Sequence, residues 1–591
     1  MKIFSSRRIK FIYLVVFLYP LLVRSLYVED FIFNRISKRL YGSFQVVAHD
    51  SLIYFVMLLL FYISFIKRLP KPLTVLLRIA AIVIFVVYVM DIIVLKTFNT
   101  RLTVVDFLKY VAYAPTFIQI VYGGVALFFI GFILTMFVGL SIFLLFQNHA
   151  LNHKTHGIFL LTLSLLVFSS CLRDNKGYVF SWMYKNVAEY NSIMISQNSF
   201  YSEEFISNVM GHTSLEENES CVKHKPQRKS IIILMVESLS PYQSKFFSGI
   251  RNWTPNIDSI AENNLCFTNF YSNGFITEDA ELSILTGMFP IYGPFRKTKN
   301  RGSNFFRGYY GVPNSLPLVA RMNGYITEFV TSADLNFSDT GNWAKSIGFD
   351  YMEGHEHPYY NTWKRYHFKA APDEALYNRV FDRVLRNRLN KPYLLFVKTV
   401  STHHPHINPE NENYSESETV RYADKQLGRF YKKLSQNGFF IDGILVIVGD
   451  HRTMLPLRRE EIKQLGGVSK AWAKTPLIIS CGDKGRVVED RPFQQVDLCN
   501  GLKNLISDEQ CTSAWIGDLI SSPRLPARYI VYRHGDNRDI ISVFYGGREI
   551  CVKLDGDKTR ILNPGDLDDS ILKLIVHKIN KERISNQLKG N

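Results

Sequence analysis

Carboxylates that end apolar runs are the first chemistry the sequence offers. IIILMV closes on Glu237, GILVIVG closes on Asp450-His451, and YLLFVKTVST runs into the cluster His403-His404-Pro405-His406. A charge at the end of a buried strand costs free energy unless it is paired or coordinated. One strand ending in Glu and another in Asp-His therefore carry the donors to converge on a divalent cation through oxygen and imidazole. The competing reading has each acid capping a neighbouring turn or helix. A further element is NGFITEDAELSILTG, residues 273–287, which sets Thr277 at the mouth of a helical pattern with Glu278, Asp279 and Glu281 behind it. A threonine there reads as an ordinary N-cap. Asp279 and Glu281 suit a helix first turn and need no catalytic role.

The elements that must position these residues are short apolar runs alternating with helical patterns. The runs are IIILMVE at 231–237, LCFTNFY at 265–271, YITEFVTS at 325–332, YLLFVKTV at 393–400, GILVIVGD at 443–450 and PLIIS at 476–480. Continuous apolar strands separated by helices are what a parallel sheet covered on both faces requires. This predicts an α/β domain whose ligands gather beyond the carboxyl ends of the strands, which is where Glu237, the histidine cluster and Asp450-His451 stand.

Taken together and in order, several segments resemble the sulfatase-like branch of the alkaline phosphatase superfamily, and within it the membrane-bound lipoteichoic acid synthases and phosphoglycerol transferases. They are MVESLS with Glu237, Thr254-Pro255-Asn256, Thr277-Glu278-Asp279-Ala280-Glu281, HHP at 403–405, VGDH at 448–451, and TPLIIS followed by QQVDL. The resemblance implies an alkaline phosphatase/sulfatase-like α/β domain with one divalent metal ion, manganese first and magnesium or zinc as alternatives. It implies Glu237, Thr277, Asp450 and His451 as metal ligands, with Thr277 doubling as the nucleophile. His403 matches the residue that contacts the phosphoryl group or the acceptor, and His404 takes that place if the match shifts by one. A threonine hydroxyl is a poor nucleophile at neutral pH, and coordination to a cation lowers its pKa.

The activity so implied is transfer of a phosphoglycerol-type head group from a membrane phospholipid to a hydroxyl on a glycan or lipid, through a phosphoryl-threonine intermediate. Phosphatidylglycerol and phosphatidylethanolamine are the donors to consider, and phosphoethanolamine transfer is the alternative activity. The Trp-Asn-Arg acceptor element of lipoteichoic acid synthases does not carry over, because LNFSDTGNWAKSIGFD holds Asn342-Trp343 with no Arg after them. Arg365 and His367 in NTWKRYHF read as surface residues, with a substitute role in that pocket as the second reading. A hydrolase of sulfate or phosphate esters on the same fold is a further reading, against which TEDAE lacks the Pro and Arg of the C/S-x-P-x-R segment that a sulfatase shows. A non-catalytic membrane protein on the same fold predicts loss of at least one ligand, and all four are present.

The rest of the chain anchors this domain. At 591 residues it exceeds one core of about 100–200 residues, and its 47% hydrophobic content with mean hydropathy +0.01 is unevenly spread. Apolar runs crowd into residues 1–172, beginning at Phe11, Ser51, Leu73, Ile118 and Ile158, and several approach the roughly 20 residues that span a bilayer. Five transmembrane helices are expected. Lys2, Arg7, Arg8 and Lys10 before the first, and Lys67, Arg68 and Lys71 between the second and third, place those segments in the cytoplasm. An odd number of spans then puts the α/β domain outside, which predicts a multi-pass protein of the bacterial inner membrane. No A-x-A-like site follows the first run, which reads as a retained anchor.

A net charge of +17 suits anionic lipid head groups, and nothing resembles a nucleic-acid-binding motif, so no nucleic-acid partner is expected. Seven cysteines in an oxidising compartment suggest pairing, with Cys499 and Cys511 the expected pair. The expected organisation is a transmembrane domain at 1–172, a juxtamembrane connector at 173–229 ending in a flexible lead-in, the catalytic domain at 230–515, and a β-rich appendage with a basic helical tail at 516–591, in which no chemistry is read.

Overall fold

The computed structural model describes residues 18–30, 32, 39–65, 69–98, 101–103, 153–173, 181–196, 201–211, 219–293, 306–387, 391–481, 485–535, 539–564 and 566–589. The chain divides into two compact units, residues 1–197 and 198–591.

In the first unit the runs from Ser51, Leu73 and Ile158 fall within helices Tyr41–Ser64, Lys71–Phe98 and His153–Cys171. Among the described residues two helices, Tyr41–Ser64 and Lys71–Lys96, are long and apolar enough to cross a membrane, and His156–Cys171 is a shorter apolar helix. The first run is described only from residue 18, where it is helical, and the fourth, from Ile118, lies outside the described residues. The helix read from Ser51 starts ten residues earlier, at Tyr41, because its polar residues are buried in pairs. Asp50 accepts hydrogen bonds from Arg24 and from the Tyr88 hydroxyl, the latter at 2.7 Å. His49 meets Glu189 at 2.6 Å. Asp91, at the end of the run from Leu73, is held by Arg101, Nη2 to Oδ2 at 2.6 Å, with both side chains fully buried. Pairing removes much of the cost of an ionisable group among apolar helices.

The second unit is built on an eight-stranded sheet. In chain order its strands are β1 Ser230–Val236, β2 Leu265–Phe267, β3 Ile326–Thr331, β4 Tyr351–Glu353, β5 Tyr393–Lys398, β6 Gly443–Gly449, β7 Leu477–Ser480 and β8 Val487–Glu489. In space they run β8-β2-β7-β6-β1-β5-β3-β4. The sheet is mixed and not wholly parallel: β7 is antiparallel to both β6 and β2. A four-residue run buried on both faces reads the same in either direction, so the sequence pattern carried no sign of this reversal. LCFTNFY also divides, into β2 and Phe270–Tyr271, which pairs with Phe493–Gln494.

Side chains of the central strands alternate between two cores. Ile231, Ile233 and Met235 of β1 join one core, with Leu282 and Leu285 of helix Thr277–Thr286 and Leu498 and Leu502 of helix Gln495–Ile506. Ile232, Leu234 and Val236 join the other, with Ile257 of helix Pro255–Glu262, Val380 of helix Asp373–Asn387 and Phe430 of helix Glu416–Gln436. The nucleophile-candidate helix is thus clamped on one face of the sheet.

Two readings are corrected outside the sheet. The end of the 173–229 connector forms strand Ser220–Lys223, antiparallel to Glu509–Thr512, and the disulfide joins Cys221 to Cys511. Cys499 is a free thiol buried in the core beneath helix Gln495–Ile506. Its place on an apolar helix face turns it inward, away from Cys511. Beyond residue 515, strands Ile530–Arg533, Ile540–Tyr545, Arg548–Lys553 and Arg560–Ile561 form an antiparallel sheet. Ile575 and Ile579 of helix Asp569–Lys589 pack into its core.

Candidate metal centre and nucleophile

β1 and β6 are parallel neighbours in register, Val236 opposite Gly449. The next residues, Glu237 and Asp450, therefore emerge side by side. Polar groups next to the strand ends hold both. The amides of Ser238 and His451 each donate to Asp450 Oδ1 at 2.7 Å. The Ser238 hydroxyl donates to Glu237 Oε1 at 2.8 Å, and Ser238 adopts φ 54° to do so, a left-handed conformation that costs a non-glycine residue strain and concentrates at functional sites. The Gln495 side chain donates through Nε2 to the Asp450 carbonyl at 2.7 Å.

Thr277 is the first residue of its helix, after Ile276, and no side chain caps that helix end. Its hydroxyl is turned instead toward the strand ends, donating to Asp450 Oδ2 at 2.9 Å, with Glu237 Oε2 and His451 Nε2 each 3.3 Å away. The ordinary cap is therefore not the arrangement here. The His451 Nδ1 contacts the Arg452 carbonyl at 2.9 Å. With a proton on Nδ1, the Nε2 lone pair faces the carboxylates, the orientation of a metal-ligating histidine.

Glu237, Asp450 and His451 are 5%, 0% and 1% exposed, and their ligand atoms lie within 4.8 Å of one another. Burial and the nearby Glu237 charge push the Asp450 carboxyl up to about 7. Burial pushes the His451 imidazole down, but Asp450 and Glu237 outweigh it and raise it. Two crowded buried carboxylates, an imidazole and a hydroxyl form a donor set of hard oxygens with one nitrogen. That set fits a divalent cation such as manganese, magnesium or zinc, whose charge would offset the repulsion between the acids.

The histidine cluster lies outside this group of four. Segment 399–402 is tied to Glu237 at both backbone groups: the Glu237 amide donates to Thr399 Oγ1 at 3.0 Å and Thr402 Oγ1 donates to the Glu237 carbonyl. That linkage ties the segment leading into His403 and His404 to the backbone of Glu237. His403 is half-buried, with Nδ1 at 2.6 Å from the His404 carbonyl and its ring against Phe368. Burial pushes the His404 imidazole down to about 4. His367, read from sequence as a surface residue, is 2% exposed and 5.6 Å from His403 by ring centroids. Burial and the neighbouring imidazoles hold it down to about 3. Arg365 is half-buried and donates to the Lys369 carbonyl at 3.2 Å.

The acids behind Thr277 are more than first-turn decoration. Glu281, fully buried, pairs with Lys398 at 2.8 Å. Glu278 accepts from the Ser338 hydroxyl at 2.6 Å. Asp279, also fully buried, pairs with Arg533 at 3.0 Å. The signal for the first was in the sequence: Lys398 closes an otherwise apolar strand, and a lysine there needs a buried acid opposite.

Residues 229–505 match the family model described as Sulfatase. Among curated proteins, phosphoglycerol transferase I of Salmonella typhi is 27% identical over 190 residues, covering 28% of this chain and 23% of that protein. The same-named protein of Salmonella arizonae gives the same identity and coverage. The chain thus matches less than a quarter of the length of these relatives. Among solved structures, an alkaline phosphatase superfamily protein from Vibrio parahaemolyticus is 21% identical with TM-score 0.50, covering 67% of this chain and 99% of that one. The lipoteichoic acid synthase LtaP of Listeria monocytogenes is 17% identical with TM-score 0.45, covering 65% and 97%.

Proposed function

We propose that this protein, whose residues 229–505 match the Sulfatase family model, is a metal-dependent phosphotransferase of the alkaline phosphatase superfamily, moving a phosphoglycerol-type head group from a membrane phospholipid to a glycan or lipid hydroxyl. One observation carries the reading: the half-buried Thr277 hydroxyl points into the cluster of Glu237, Asp450 and His451, away from its own helix backbone. A divalent ion held there, manganese first, supplies Lewis-acid stabilisation of phosphate charge and lowers the pKa of the hydroxyl.

The chain's own residues do the rest. Thr277 Oγ1 closes on phosphorus while its proton leaves toward Asp450 Oδ2, its hydrogen-bond acceptor. The bond from phosphorus to the diacylglycerol oxygen breaks, and that oxygen takes a proton from His403. Thr277 then carries the phosphoglycerol group. An acceptor hydroxyl displaces it, giving its proton to His403, and Thr277 recovers the proton held at Asp450. The helix N-terminus at Thr277 favours the incoming phosphate.

A donor that never leaves the bilayer suits the two apolar helices of the first unit, where Leu73, Leu76, Ile79, Val83 and Val87 are exposed at helical spacing. We take the protein to be multi-pass in a bacterial inner membrane, with five spans and an extracytoplasmic catalytic unit. The Cys221–Cys511 disulfide supports an oxidising compartment.

The test incubates the full-length protein in detergent micelles with Mn²⁺ and head-group-labelled phosphatidylglycerol or phosphatidylethanolamine, following diacylglycerol and mapping label on the protein. Phosphoglycerol on Thr277 is expected, with none in Thr277→Ala. Label from phosphatidylethanolamine alone favours the phosphoethanolamine alternative. Diacylglycerol release that survives in Thr277→Ala refutes the mechanism.

A further inference from the structure

The C-terminal sheet lies beyond the family-matched residues, and its sequence carries no recognisable motif. Its first strand nonetheless reaches the residues around Thr277. Arg533 Nη1 lies 3.0 and 3.2 Å from the two carboxylate oxygens of Asp279, with side chains 7% and 0% exposed. Asp279 Oδ2 in turn accepts from the Phe275 amide at 3.1 Å, and Oδ1 from the Tyr292 hydroxyl at 2.7 Å. Both carboxylate oxygens are thus committed around the entry to the helix, two residues on either side of Thr277.

Backbone contacts reinforce this. The Arg533 amide donates to the Asn273 carbonyl at 2.9 Å, and Asn273 Nδ2 donates to the Val531 carbonyl at 2.7 Å. The Asn273 amide donates to Gln495 Oε1 at 3.0 Å, and Gln495 holds the Asp450 carbonyl. One hydrogen-bonded path therefore joins strand Ile530–Arg533 to both the Thr277 loop and the strand end carrying Asp450.

Gly535 packs against Phe275 of the Thr277 loop. A Cβ placed on it would stand 1.9 Å from Phe275 Cγ, so any side chain there displaces that ring or the loop. Phe275 lies parallel to His451 with centroids 6.5 Å apart and packs against Trp472 at 5.2 Å. Gly535 leaves Phe275 the room to support the imidazole.

We propose that strand Ile530–Arg533 and Gly535 are a positioning part of the catalytic centre: Arg533 holds Thr277 in place through Asp279, and Gly535 holds His451 through Phe275. The assignment rests on the reading of Thr277, Glu237, Asp450 and His451 as nucleophile and ligands. An ion pair that served only to fasten the C-terminal sheet would affect folding and leave the properties of the folded centre unchanged.

The experiment measures Mn²⁺ affinity by calorimetry, diacylglycerol release from phosphatidylglycerol as kcat and KM, and the melting temperature, all on full-length protein in micelles. Loss of partners that orient ligands typically costs about 10–100-fold in metal affinity or activity. Arg533→Ala and Gly535→Ala are each expected to weaken Mn²⁺ binding by about that factor. Arg533→Ala also lowers kcat by a similar factor with KM within about twofold, and Arg533→Lys recovers most of both. If Arg533→Ala does not fold, the doubly neutralised Asp279→Asn/Arg533→Met, which strands no buried charge, is expected to show the same losses. Folded Arg533 and Gly535 variants with wild-type Mn²⁺ affinity and kcat overturn the assignment. If the wild type releases no diacylglycerol, the reaction proposed above fails, and the Mn²⁺ affinities alone decide this one.

Discussion

Lys398→Met tests how far the Thr277 helix depends on charges buried beneath it. Lys398 ends β5 and meets Glu281 of that helix at 2.8 Å, with side chains 14% and 0% exposed. Burial pushes the Lys398 amine down, and Glu281 outweighs it and holds it up. Burial pushes the Glu281 carboxyl up, and Lys398 opposes this. Methionine removes the cation and strands the carboxylate, a change that costs about 3–5 kcal/mol in buried pairs. The second unit spans residues 198–591, and at roughly 2.1 cal/mol/K per residue its unfolding entropy is about 0.8 kcal/mol/K. The expected fall in its melting temperature is therefore about 4–6 °C.

The double variant Lys398→Met/Glu281→Gln removes both charges and should return to within about 1 °C of wild type. The single-variant deficit should also shrink at acidic pH. A carboxyl whose folded pKa is raised binds its proton more tightly in the folded state, so its stabilising contribution is present at low pH and is lost as pH rises. Scanning calorimetry of the full-length protein at several pH values reads all of this. A single variant within about 1 °C of wild type, or a double as unstable as the single, refutes the argument that the pair carries this energy.

Two other perturbations follow from the same reasoning. In Asp450→Asn, Oδ1 can still accept from the Ser238 and His451 amides, while the carboxylate facing Thr277 is gone. Calorimetry should show Mn²⁺ affinity at least about 100-fold weaker, with metal-free stability equal to or above wild type because one of two crowded buried acids is removed. Asp497, fully buried, accepts from the Gly517 amide at 2.7 Å and the Gln494 amide at 3.0 Å, and burial pushes it up to about 7. Its contribution to stability is complete below about pH 4 and is lost as pH rises to about 7. The wild-type melting temperature should therefore fall over that window, and Asp497→Asn should show a shallower slope; an identical slope refutes the assignment.

What could be read in the sequence was what neighbouring residues decide. The buried runs of β1, β5 and β6 announce themselves by continuous apolar composition, and the polar residues that end them stand out because burial makes them costly. What brings Glu237 beside Asp450 is strand register, Val236 against Gly449, which no local pattern encodes. The direction of the Thr277 hydroxyl belongs to the same class, since a threonine entering a helix is equally suited to cap it. β7 runs antiparallel with nothing in LIIS to say so, and β4 and β8 are three-residue edge strands too short to carry a period.

The pairings missed altogether join residues far apart in the sequence. Cys221 finds Cys511 across 290 residues, whereas sequence proximity favours Cys499, whose helix turns it into the core. Arg533 finds Asp279 across 254. For both, partner and site are specified by the fold, through strand Ser220–Lys223 pairing with Glu509–Thr512 and strand Ile530–Arg533 lying along Asn273. The consequence is asymmetric for function. The residues proposed to bind metal and attack phosphorus sit in recognisable short segments, because their chemistry restricts their type. Those that aim them are held only to a charge, a volume or the absence of a Cβ, so Arg533 and Gly535 left no trace until the chain was folded.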